Sequence, residues 1–249
     1  MTTRTCTSPA SAIVRSALLL ALLAGSAHAA APAVTVSPAR DVAEAGLVDI
    51  RTLAPGIEQD IRYAGPDNFT GQRVPGYDAP KCYLLAPAAT ALVQVETDLR
   101  AEGFALRIYD CYRPAHAVTA FVAWAHDPEE QSRKAQQYPD IDKPALLGDY
   151  IAETSGHSRA ATVDLTLLDC RSGSCAPVDM GTDFDFFGPR AHTDAPEISA
   201  AQRSHRQQLR QAMARRGFAN YPMEWWHFTL QPEPEPAPAP STAYDVPVR

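Results

Sequence analysis

The chain has no C-x₂-C pair, no second long apolar run after its first thirty residues, and no excess of basic side chains, with 22 Lys and Arg against 29 Asp and Glu. Each absence argues against a class. Four-cysteine zinc sites are usually built on closely spaced pairs of that kind. A bilayer span needs about 20 consecutive apolar residues. Nucleic-acid binding through phosphate contacts needs clustered Lys and Arg, which a chain this acidic does not offer.

What is present begins with a leader. Arg4 and Arg15 lie in a region without acids, residues 16–25 are apolar, and Ala27-His28-Ala29 has the small residues of a cleavage site. This reads as a secretory signal peptide over residues 1–29, its apolar part too short to span a bilayer. The alternative is an uncleaved anchor. Cleavage leaves about 220 residues, enough for one well-cored domain. It removes two bases and no acid, so 20 bases face 29 acids and the formal charge moves from −7 to −9. The expected product is exported or periplasmic, with a flexible segment over 30–46 and one domain over 47–249.

That mature chain keeps Cys82, Cys111, Cys170 and Cys175. An even count in an exported protein reads as disulfides. Cys170 and Cys175 bracket a turn-forming Arg-Ser-Gly-Ser, so a short bridge there is the simplest pairing and leaves Cys82 to Cys111. A four-cysteine metal site and free thiols stay open as alternatives.

No internal repeat is apparent. Residues 48–66 read as an extended entry broken by Pro55-Gly56. Residues 87–102 are a helix, with Pro87 in its first turn, Ala88, Ala91, Leu92, Val95 and Leu99 on one face, and Gly103 as its stop. Residues 104–110 alternate as a half-buried strand. A second helix starts at Arg113-Pro114. Loops are expected over 138–143 and 184–196. Thr162 to Leu168 is a strand, 199–216 the longest helix, capped by Ser199 and stopped by Gly217, and 223–230 a strand. A Pro-Glu-Ala tail runs from Gln231. Helices and strands in separate blocks point to α+β.

Four residues carry the chemistry: His157 and Asp164 in SGHSRAATVDLTL, Glu224 and His227 in EWWHF. Two imidazoles and one carboxylate suit a zinc ion with an open fourth position, as in catalytic sites. A further carboxylate that binds no metal suits a base for activated water. Asp164 interrupts an apolar strand, where an acid is costly unless paired or bound to a cation. The plainer reading pairs it with Arg159 or Arg113. Arg113, at a strand–helix junction, suits an oxyanion-stabilising guanidinium or a simple partner for Asp110.

The pattern S-x-H-x₆-D-L-T-L followed by E-W-W-H, with an upstream Y-D-x-Y-R-P, resembles the D-alanyl-D-alanine dipeptidases, the VanX-like branch of zinc D-Ala-D-Ala peptidases. The likeness extends to Tyr63-Ala64-Gly65-Pro66-Asp67-Asn68-Phe69-Thr70-Gly71, Asp78 and Met180-Gly181-Thr182-Asp183-Phe184-Asp185. It implies a small α+β enzyme, a compact domain whose antiparallel-rich sheet is flanked by helices. It also implies one Zn²⁺ on His157, Asp164 and His227, with Glu224 as base and Arg113 as the transition-state arginine. Tyr63, Asp110, Ser155 and Asp185 match substrate-lining positions, Asp185 and Tyr63 near the substrate amine and Ser155 near its carboxylate. Trp225 and Trp226 help shape the pocket. Family members commonly carry Gly where Ala160 stands, a residue that does not comfortably take positive φ.

The implied activity is hydrolysis of free D-Ala-D-Ala derived from peptidoglycan. Rivals are a D,D-carboxypeptidase or endopeptidase on longer wall peptides, or a peptidoglycan-binding protein without turnover. Oligomeric state is not legible. Asn68-Phe69-Thr70 matches a glycosylation sequon and is read as incidental.

Overall fold

The computed structural model describes residues 1–3, 34–233 and 242–249. The expected leader and most of the Pro-rich tail lie outside the described residues. Residues from Ala33 to Arg249 form one compact unit. In chain order its elements are β1 (Thr35–Val36), β2 (Leu47–Asp49), β3 (Glu58–Gln59), β4 (Tyr83–Leu85), α1 (Ala86–Ala101), β5 (Phe104–Asp110), α2 (Ala115–His126), α3 (Lys134–Gln137), β6 (Thr162–Asp169), β7 (Ala176–Pro177), α4 (Ala200–Ala214), β8 (Phe218–Asn220), β9 (His227–Leu230) and β10 (Thr242–Ala243). The main sheet runs β3-β5-β6-β9-β8, with β7 beside β6. Only the β3–β5 pair is parallel in it. This is the expected α+β arrangement. Among the described residues no helix is long and apolar enough to cross a membrane.

The helix α1 forms where the periodicity places it, with Pro87 in the first turn, where its missing N–H costs nothing. Its Leu92, Val95 and Leu99 are fully buried, each contributing about 1.5–3 kcal/mol of burial. The Ser199 side chain accepts from the Gln202 amide, and Gln202 reaches back to close a capping box on α4. Of the two, α1 is longer by one residue, 16 against 15.

Strand register builds the site. Asp110 on β5 lies opposite Asp164 on β6, and Asp164 lies opposite His227 on β9. Side chains directly opposite across paired strands share a face, so three strands present one row of acid, acid and imidazole.

Several expectations change. The strand over 104–110 is buried along both faces rather than one, with Ala105 and Asp110 at 0% exposure. The strand expected over 223–230 starts only at His227. The chain before it turns at Pro222–Met223 and Trp225–Trp226, and the Asn220 side-chain amide donates to the Glu224 and His227 carbonyls across that bend. The entry segment 48–66 is not continuously extended; 3₁₀ turns at Ile50–Thr52 and Arg62–Ala64 interrupt it. The short α3 and β8 were not expected. Over 184–196 the chain is irregular as anticipated, but Phe184, Asp185, Phe187 and Thr193 are buried.

The sequon is used structurally. Asn68 is fully buried and its amide donates to the carbonyls of Arg62, Gly65 and Gln72. Disulfides join Cys82 to Cys111 and Cys170 to Cys175.

Ala160 has φ 58° and ψ 30°, left-handed, at the end of the 3₁₀ turn that carries His157. That backbone costs an L-residue about 1–2 kcal/mol. Ala160→Gly removes that cost but loses a buried methyl worth about 0.8 kcal/mol and stiffness in the unfolded chain worth about 0.4–1 kcal/mol. The substitution should therefore leave thermal stability nearly unchanged. Ala160→Val adds branched bulk at a fully buried, left-handed position and should cost about 2 kcal/mol or more. Thermal unfolding of both variants checks this; a neutral Val would show that the turn is not constrained.

Candidate metal centre and cleft

His157 sits in the 3₁₀ turn Gly156–Arg159, whose preceding Ser155 accepts from the His157 amide at 3.2 Å. Its ring Nδ1 lies 2.6 Å from the Cys111 carbonyl. A carbonyl only accepts, so Nδ1 carries the proton and the Nε2 lone pair faces the cleft. The Cys82–Cys111 bridge thus anchors the very residue whose carbonyl orients this imidazole. Asp110, fully buried, adds a carboxylate oxygen 3.5 Å from the same Nδ1.

Three candidate donors converge. His157 Nε2 is 3.2 Å from Asp164 Oδ2 and 3.3 Å from His227 Nδ1, and His227 Nδ1 is 3.1 Å from Asp164 Oδ1. Tetrahedral zinc with bonds near 2.0–2.2 Å holds its donors about 3.3 Å apart. Asp164 Oδ1 is buried, and its approach to His227 lacks hydrogen-bond geometry, so it has no hydrogen-bond partner. A buried carboxylate oxygen left this way is costly unless a cation takes it up. Burial alone would raise the Asp164 carboxyl, but His157 and then His227 outweigh it and hold it well below the usual range. The donor set fits a divalent zinc ion.

Around it the cleft, of about 230 Å³, is lined by Tyr63, Arg113, Ser155, Asp185, Glu224 and Trp226 among others. That is below the roughly 300–1,000 Å³ typical of sites for drug-sized ligands. Glu224 Oε2 lies 3.4 Å from His227 Nδ1. Burial pushes its carboxyl up to about 7, against the lowering influence of His227. Arg113 Nη2 and Nε both donate to Asp110 Oδ2, at 2.9 and 3.1 Å. The same Nη2 is 3.8 Å from Asp164 Oδ2, and the guanidinium lies over the rings of Tyr63 and Phe121. The simple pairing with Asp110 and the cleft-facing placement therefore coexist. Arg159 pairs with Glu233, not with Asp164.

At the other end, Tyr63 donates its hydroxyl to Asp185, 2.9 Å from Oδ2 and 3.1 Å from Oδ1. Asp185 is itself at φ 58°. Burial first, and the Asp164 charge second, raise its carboxyl well above the ordinary range.

Two sequence-predicted residues stand elsewhere. Asp110 does not line the cleft; it lies behind Arg113 and His157, holding both. Trp225 packs edge-on against Trp226, ring centroids 5.3 Å apart, but lies outside the cleft lining; it donates its indole N–H to Thr182 at 2.8 Å and lines a separate hollow with Met180 and Phe184. Tyr77, whose hydroxyl donates to Asp110 Oδ1 at 2.8 Å, was missed. No sequence spacing reveals it, since the contact joins residues 33 apart.

Comparison with known proteins gives the chain its family. Residues 43–248 match the family model described as Peptidase_M15, D-ala-D-ala dipeptidase. A D-alanyl-D-alanine dipeptidase of Streptomyces coelicolor is 41% identical over 79% of this chain and 95% of its own length. One of Enterococcus faecium is 36% identical over 83% of this chain and 100% of its own. One of Escherichia coli is 34% identical over 74% and 84%. The buried His–Asp–His cluster thus lies in a chain that belongs to the M15 peptidases, in their D-Ala-D-Ala dipeptidase family.

Proposed function

We propose that this protein hydrolyses free D-Ala-D-Ala, using one zinc ion held by His157, Asp164 and His227 and Glu224 as the base. The observation that carries the reading is the meeting of three metal-donor side chains with Glu224, Arg113 and Asp185 in one small cleft. A zinc ion bound there would polarise the scissile carbonyl and lower the pKa of a bound water to about 7. Glu224 takes the proton from the attacking water and passes it to the departing amine, so that one water is consumed per peptide bond. Arg113, fixed by Asp110, donates toward the carbonyl oxygen as negative charge develops on it. Asp185, oriented by Tyr63, accepts from the substrate ammonium. An incoming cation offsets the burial that otherwise disfavours its charged form. Ser155, near the start of the His157 turn, meets the carboxylate end. With a leader that directs export, the substrate is dipeptide released from peptidoglycan outside the cytoplasm.

An enzyme that reads a free amine should reject a blocked one. N-acetyl-D-Ala-D-Ala should be turned over far more slowly than the free dipeptide. Asp185→Asn should lose a charge-assisted hydrogen bond worth about 1.5–3 kcal/mol, a fall of roughly tenfold to a hundredfold in kcat/KM carried mainly by KM. Steady-state kinetics on both substrates decide it. Faster turnover of the acylated compound would point to a carboxypeptidase acting on longer wall peptides.

A further inference from the structure

Residues 148–155 form one wall of the cleft: Gly148, Asp149, Tyr150, Ile151, Thr154 and Ser155 all face into it. The wall is thin. Thr154 and Ser155, with Val118, also line a second groove of about 340 Å³ on the outside, between β1 and the start of α2. The segment begins at Gly148, whose φ of 103° only glycine takes readily. Its base is closed by Gly148 donating to the Ile151 carbonyl and by Tyr150 and Ile151 donating to Leu146. Across the cleft its described side-chain ties are few. Tyr221 donates its hydroxyl to the Asp149 carbonyl at 3.2 Å, shared with Met223 Sδ at 3.2 Å. Tyr150 meets His192 Nε2 at 3.4 Å.

Tyr221 belongs to the opposite wall. Its backbone donates to the His227 carbonyl and accepts from the Glu224 amide, each at 3.0 Å, and its ring lies edge-on to the His227 ring. We infer that Tyr221 is a specificity-determining latch. It fastens the 148–155 wall to the rigid turn bearing Glu224, keeps the cleft separate from the outer groove, and so limits the substrate to two residues. The inference rests on the dipeptidase reading for its substrate. Release of the latch lets the wall move outward, joining cleft and groove on the Ser155 side, where a peptide extended at its carboxyl end would emerge.

Tyr221→Phe removes one oxygen and keeps the ring against His227. Two measurements test it: kcat/KM for D-Ala-D-Ala and for D-Ala-D-Ala-D-Ala, and amide hydrogen exchange over residues 147–155. Loss of one ordinary hydrogen bond should raise the tripeptide-to-dipeptide ratio roughly threefold to tenfold and speed exchange at Gly148, Tyr150 and Ile151. An unchanged ratio in a variant of an active enzyme overturns the latch as a selectivity device. Unchanged exchange overturns it as a fastening, whether or not the enzyme is active. Failure of the unmodified protein to cleave D-Ala-D-Ala would instead remove the dipeptidase reading, which the exchange measurement does not need.

Discussion

Glu224→Gln should lower kcat for D-Ala-D-Ala by roughly a hundredfold to ten-thousandfold, the range that positioned proton transfer contributes, while KM changes little and bound zinc is retained. The expectation follows from the turn. Asn220 and Tyr221 hold the Glu224 backbone through two hydrogen bonds that do not involve its side chain, so the amide variant keeps the shape of the turn. Glu224 is the ionisable group nearest the three donors that is not itself one of them on this reading. Gln cannot accept a proton from water, and it cannot hand one to a leaving amine. Turnover within tenfold of the unmodified enzyme would move the base to another residue.

Metal removal should have a comparable effect and a second signature. Chelation should abolish dipeptide hydrolysis, and added Zn²⁺ should restore it. The second signature is stability. Without a cation, Asp164 Oδ1 is a buried acceptor with no hydrogen-bond partner, and the His157 Nε2 lone pair faces the Asp164 carboxylate at 3.2 Å. A ligand at a hundredfold its Kd stabilises the folded state by about 2.7 kcal/mol, so the zinc-loaded protein should unfold roughly 5–10 °C above the chelated one at this size. His227→Ala should show the chelated behaviour even with zinc present. Equal unfolding temperatures with and without zinc would show that the three donors do not hold it.

How much of this was legible depends on the range of the interaction. The helices α1 and α4 and the strands β5 and β6 follow from local periodicity, and Ser199 from capping chemistry. The residues SGHSR, EWWH and YRP carry the site through their resemblance to a family, although the register that brings them together cannot be read along the chain. The pairing of Asp110 with Asp164, and of Asp164 with His227, depends on partners 54 and 63 residues apart. The pairing of Asp110 with Arg113 was one of the readings the sequence offered, but its place beside the His157 ring was missed for the same reason, since that contact joins residues far apart in the chain. The turn at Glu224 was hidden because β-prone aromatics signal a strand, and only the Asn220 amide, reaching the carbonyls, shows otherwise. Ala160 is the opposite case. Its chemistry predicts avoidance of left-handed backbone, yet the turn carrying His157 imposes it, and the surrounding packing pays for the strain.

On this reading His157, Asp164 and His227 together hold one catalytic zinc ion. Elemental analysis of protein purified without chelator, beside His157→Ala and His227→Ala, tests it most directly. One zinc per chain in the unmodified protein, and a large loss in both variants together with loss of D-Ala-D-Ala hydrolysis, is the expected result. Full hydrolysis by a preparation containing no stoichiometric metal would contradict it.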